Sequence, residues 1–403
     1  MSDDLAIYHE KLDQVHELLN SLDLDAWLIF VRETSVAPDP AMQLIAPFNL
    51  TWESALLIDR NGTRVAIVGR YDMQPVEDTN LFSTVLGYDA GIGEQLRDAL
   101  ASLDPQRIAI NYSTSDVSAD GLSYGMYLRL RELLKDTPYS DRLVSAHDLV
   151  SRLRARKTVG EQALLLSAVE AADEIFRRAE QMIVVGVSER EVADAMHAET
   201  LQRGMTTAWS WDACPIVNTG PDSPVGHSNP TALTIQPGHL VHIDFGVQRD
   251  GYCSDQQRMW YVLRDGETAP PEDVQQAWLT VRTAIQRAFE FIRPGVQGWE
   301  VDEIGRAVFR EAGVPEYQHA LGHGVGRAVH DGGASLAPRW DRYGSTPYGS
   351  VEAGSVYTLE CGLPTSCGYL GLEEEIVVED DGARWLAPPQ TELWLIKPDA
   401  DPK

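Results

Sequence analysis

The first ~155 residues alternate short apolar runs with amphipathic stretches. Leu12, Val15, Leu19 and Leu22 fall on one stripe at helical spacing, which predicts a helix over Tyr8–Leu22. Ala26–Val31 reads as a buried strand. Ser54–Ile58 and Arg64–Val68 read as a hairpin turning at Asn61-Gly62. A helix over Ile92–Leu103, a strand over Ile108–Asn111 and a helix over Tyr124–Leu134 complete a small alternating α/β domain. Nothing in this half clusters catalytic residue types.

The basic run Ser151–Lys157 is read as a linker or domain boundary, setting domains at 1–157 and 158–403. Beyond it, helices are expected over Gly160–Met182 and Ser188–Arg203. Strands then dominate Met205–Leu263, two helices run over Pro271–Ile292 and Gly298–Glu311, and strands close the chain. In the first of those two helices, Val274, Trp278, Val281, Ile285, Ala288 and Ile292 share a face.

Period-two alternation in two strand pairs brings acids together. With a turn between Arg249 and Asp250, Asp244 would face Asp255. With a turn at Ser366-Cys367, Glu360 would face Glu373, Glu374 would point to the other side, and Glu375 would sit two residues off the pair. Paired carboxylates embedded in apolar strands repel unless a cation lies between them. Between the pairs lies His319-Ala320-Leu321-Gly322-His323-Gly324-Val325-Gly326, followed by His330-Asp331, where glycines allow close backbone approach. Four carboxylates and an imidazole suit two divalent ions. Oxygen and nitrogen donors without thiolate favour manganese, cobalt, iron or zinc over a soft-metal site, and manganese is the first expectation. Paired ions can activate water against a carbonyl or phosphoryl centre.

The order Asp244, Asp255, His323, Glu360, Glu373 resembles the pita-bread metallopeptidases, in the branch of aminopeptidase P and prolidase. The resemblance is strong over about 158–403. It is weaker over the first ~155 residues, which are similar to the creatinase-type N-terminal domain of that branch. It implies an α/β (α+β) chain with a pseudo-symmetric catalytic domain and two metal ions in a curved sheet. It also implies a homodimer and hydrolysis of the N-terminal bond of short peptides, with Xaa-Pro as the expected sequence. Asp244, Asp255, His323, Glu360 and Glu373 would be the metal ligands. Glu360 would also shuttle a proton, and His227 and His330 would act in catalysis. His227, His319 and His330 would bind substrate.

Three departures from the family pattern stand out: Cys361 where Pro is usual, Gly371 where Arg is usual, and Gln257 where a Thr hydroxyl is usual. The link between Glu360 and Glu373 is also short. A non-peptidase hydrolase on the same scaffold, acting on a small amide, creatinase-like or phosphotriester substrate, is the alternative. A silent binding domain is a weaker rival. Arg327, Arg339 and Arg342 are candidates for a substrate carboxylate. Trp209, Trp211, Trp340 and Tyr343 are candidates for a prolyl pocket, and His239 and His242 are read as structural.

Composition narrows the partners. The chain has 403 residues, 61 acidic and 33 basic, for a net charge of −28. Such a surface repels nucleic acid and anionic membranes. The acidic start has no apolar core behind it, so a signal peptide is not expected and a cytoplasmic site is. Four scattered cysteines, Cys214, Cys253, Cys361 and Cys367, argue for free thiols rather than a disulfide framework.

Overall fold

The computed structural model describes residues 3–226 and 228–398. His227 lies outside the described residues. The chain divides into two compact units, Met1–Arg154 and Ala155–Lys403.

The first unit is built on a six-stranded mixed sheet. Its strand order is Thr84–Tyr88, Arg64–Gly69, Ser54–Asp59, Ala26–Val31, Ile108–Ile110, Leu143–Ser145. The central strand Ala26–Val31 is buried throughout. Its odd positions Trp27, Ile29 and Val31 pack with Leu12, Val15 and Leu19 of the helix Asp3–Ser21. Its even positions Ala26, Leu28 and Phe30 pack with Leu96, Leu100 and Leu130 on the opposite face. This makes an α/β/α sandwich, as the alternation of apolar runs implies.

The boundary between the two units falls inside the run Ser151–Lys157, after Arg154, but Ser151 to Ala155 are the last turns of the helix His147–Ala155 rather than an irregular linker. Leu149, Val150 and Leu153 are wholly buried at helical spacing, and that burial outweighs the arginines between them. Thr158 then caps the helix Val159–Ala179, with Glu161 answering in a reciprocal capping pair.

In the second unit the main sheet runs Val356–Thr365, Gly368–Glu379, Gln256–Val262, Leu240–Phe245, Ile216–Thr219. The helices Val159–Ala179 and Glu189–Gln202 share one hydrophobic cluster with its strands. Glu272–Phe291 and Gly298–Ala312 share another, through Val274, Val281, Ile285, Val301 and Phe309. All four cysteines are free and buried. No helix among the described residues is long and apolar enough to cross a membrane.

One register differs from expectation. Asp244 pairs with Gln257, not Asp255. The turn centres on Asp250 and Gly251, whose φ angles are 50° and 78°. A two-residue hairpin turn needs positive φ at both central positions, and Asp-Gly accepts this where Arg249 does not. Moving the turn centre by one residue moves the partner of Asp244 by two, so the same face still points inward. The other pair is as expected, with Glu360 directly across from Glu373.

Candidate active site

The site is assembled where the His319–Gly326 segment runs beside the strand Val356–Thr365. Glu360 donates its backbone N–H to the Leu321 carbonyl at 2.6 Å, and Thr358 donates its own to the His323 carbonyl at 3.0 Å. Gly322 makes this approach feasible, because a Cβ there would collide with the Thr358 carbonyl. His323 is thereby turned toward the acids. Its Nε2 lies 3.5 Å from Asp255, 3.8 Å from Glu360 and 3.8 Å from Glu373. Potential ligand atoms of Asp255, His323 and Glu373 lie within 4.8 Å of one another, as a metal-binding group would.

Asp244, Glu360, His319, His323 and His330 line one cavity of about 570 Å³. The His330 ring meets His323 edge-on, 4.3 Å between centroids. His319 Nδ1 is 3.9 Å from Glu360 and contacts the Ala320 carbonyl at 2.7 Å. The structure thus brings Asp244, Asp255, His319, His323, His330, Glu360 and Glu373 to one place.

The electrostatics are those of a cage awaiting positive charge. Among the described residues, Asp244, Asp255, Glu360 and Glu373 form no ion pair with Lys or Arg. Burial raises the pKa of each. Neighbouring acids add to this for Asp244, Asp255 and Glu373. Burial, with His330 second, pushes His323 down to about 3, leaving a neutral imidazole with a lone pair to give. Asp244 Oδ1 and Glu373 Oε1 are buried without a hydrogen-bond partner. Buried polar atoms are ordinarily satisfied, so these orphaned oxygens fit a cation.

Several neighbours that the sequence did not assign to the site stand behind it. Gln257 donates from Nε2 to Glu360 at 3.3 Å and to Glu373 at 3.0 Å. Its Oε1 faces His242 Nε2 at 2.9 Å, and His242 Nδ1 faces Asn218 Oδ1 at 3.1 Å. His242 therefore backs the site rather than serving only the core. Arg258 donates to the Gln257 and Glu373 carbonyls at 3.0 Å each and pairs with Glu374 at 3.2 Å. Glu375 accepts the Asp255 N–H at 2.6 Å. The displaced Thr in Asp255-Gln256-Gln257-Arg258 was the one signal pointing to Gln257.

Glu189, wholly buried, is a further member of this kind. It accepts from Thr219 N and Ser223 Oγ on one oxygen and from Thr231 N and Oγ1 on the other, at 2.6–2.8 Å. It ties both ends of the segment whose Val225 and Gly226 line the cavity.

Of the aromatic candidates, Tyr343 lines the cavity. Trp340 instead covers the Arg306 guanidinium at 4.9 Å, Trp211 stacks on His197, and Trp209 donates to the Ala213 carbonyl. Arg327, Arg339 and Arg342 lie over the rings of Tyr252, Trp299 and Trp340. None of the three lines the cavity.

Comparison with known proteins agrees with this geometry. The model of metallopeptidase family M24 matches residues 163–380, over half of the chain. The chain belongs to this family and is a metallo-hydrolase. An Xaa-Pro dipeptidase of Lactobacillus delbrueckii subsp. lactis is 32% identical over 55% of this chain and 58% of that protein, under two thirds of its length. An Xaa-Pro dipeptidase of Pyrococcus furiosus is 30% identical over 70% of this chain and 76% of that protein. The solved Xaa-Pro dipeptidase from Bacillus anthracis shares the fold, with a TM-score of 0.73 at 24% identity over 96% of this chain and 100% of that one.

Proposed function

We propose that this protein is an exopeptidase that removes the N-terminal residue of short peptides ahead of proline. In this reading Asp244, Asp255, His323, Glu360 and Glu373 hold two divalent ions, manganese foremost. The observation that carries it is the facing pair Glu360 and Glu373 with His323 Nε2 at 3.8 Å from both. The relatives named Xaa-Pro dipeptidase support the choice of peptide bond.

Divalent ions in this cage supply charge compensation, a polarised carbonyl and a water acidic enough to attack at neutral pH. The chain's own residues do the rest. Glu360 takes the proton from the attacking water on its carboxylate and delivers it to the leaving nitrogen. His330 donates from its imidazole to the oxygen on which charge develops, a contribution of about 3 kcal/mol for a well-placed donor. His319, beside Glu360, orients the peptide, and His227 is assigned the same task.

The test is turnover of Xaa-Pro dipeptides and Xaa-Pro-Yaa tripeptides with added manganese, cobalt or zinc, and with chelator. Metal-dependent release of the first residue is expected, and Asp255→Ala should abolish it together with tight metal loading. Undiminished turnover by that variant, or none by the native protein on either peptide, would overturn the reading.

A further inference from the structure

Gly362 and Gly371 stand opposite each other in the hairpin that carries Glu360 and Glu373. Tyr369 shares a face with Gly371 and Glu373, because side chains alternate along the strand. Its ring lies in the trough that the two glycines leave. A Cβ at Gly371 would sit 2.7 Å from the Tyr369 ring edge, 2.7 Å from Gln257 Oε1 and 3.0 Å from His242 Nε2. A Cβ at Gly362 would collide with the Tyr369 hydroxyl, the ring carbon that bears it and the Leu370 carbonyl. On its other side the ring meets His242 edge-on, 5.3 Å between centroids.

The bed fixes the ring, yet the hydroxyl has no hydrogen-bond partner among the described residues. Tyr369 lines the same cavity as Asp244, Gln257, Glu360, His319 and His330. Tyr369 is half-buried, and a phenol on a pocket wall presents an apolar ring together with a polar tip. One that is held rigid beside a reactive carboxylate and left unsatisfied is suited to meet a ligand, since little side-chain entropy is lost on binding.

We propose that Tyr369 is a substrate-contacting residue: its hydroxyl donates a hydrogen bond to a carbonyl or carboxylate oxygen of the bound peptide, and its ring forms a wall of the pocket. The proposal rests on peptide hydrolysis at this site. No counterpart of it was visible in the one-dimensional pattern, because Gln257 and His242, which close the trough, come from strands far from this hairpin in the chain.

Alanyl-proline and alanyl-alanine are assayed side by side on the metal-loaded native protein, Tyr369→Phe and Gly362→Ala, with metal content measured for each. Tyr369→Phe keeps the ring and should raise KM about tenfold, the size of one lost hydrogen bond, with the change confined mainly to KM. Gly362→Ala, which pushes the ring off its bed, should raise KM at least as far at equal metal content. A Tyr369→Phe KM equal to the native value overturns the proposal and leaves the peptidase reading standing. Native turnover of alanyl-alanine alone removes the prolyl reading, and Tyr369 is then decided on that peptide. Turnover of neither overturns both.

Discussion

Gln257 stands directly across the sheet from Asp244, and its one amide nitrogen reaches both Glu360 and Glu373. A single neutral donor thus spans the facing acids. It holds their oxygens in place without cancelling the charge that a cation must find there. His242 and Asn218 continue the line behind it.

Gln257→Leu should therefore weaken manganese binding by about 10–100-fold, the usual cost of losing a group that orients metal ligands. Titration in a metal buffer measures it, with circular dichroism as the check on folding. Native affinity in that variant would remove Gln257 from the role.

Glu189 holds its segment through four donors and no cation. Glu189→Gln places an amide N–H₂ against groups that themselves donate. The expected loss is roughly 3 kcal/mol, seen as a lower urea midpoint. Hydrogen exchange should rise most over residues 219–231. A uniform rise across the chain would show that Glu189 supports the fold at large rather than this segment.

Acid–base behaviour follows from the buried carboxylates. Burial pushes Glu375 up to about 8 and raises Asp244, Asp255, Glu360 and Glu373. A raised pKa means the folded state holds its proton more tightly than the unfolded chain. The stability this confers is complete below the unfolded value and is lost as pH climbs through the folded one. His323 and His319 are lowered by burial, so their opposite contribution is already complete above about pH 6.5. The Tm of metal-free protein should consequently fall from pH 6.5 to 9. Manganese should offset the fall, because binding expels those protons and so strengthens as pH rises. Differential scanning calorimetry with and without chelator reads both. A metal-free Tm that rose over this range would contradict the assignment of the acids as buried and unpaired.

Most of the elements could be read from local pattern. Ala26–Val31 is the strand its apolar run implies, and the helices Glu272–Phe291 and Gly298–Ala312 end within two residues of where periodicity places them. The segment around Leu153 carried two signals: its charge marked the place where the two units divide, while its buried positions kept a helical period up to Ala155.

The residue types needed for the cage, and the facing of Glu360 with Glu373, were set by the sequence itself. Side chains alternate strictly, and Ser366-Cys367 fixes the register from within one hairpin. The tertiary structure alone decided the partner of Asp244, the reach of Gln257, the anchoring by Glu189 and the seating of the Tyr369 ring against His242. Each depends on a turn's φ angles or on contacts between elements far apart in the chain, and neither leaves a periodic trace in one dimension.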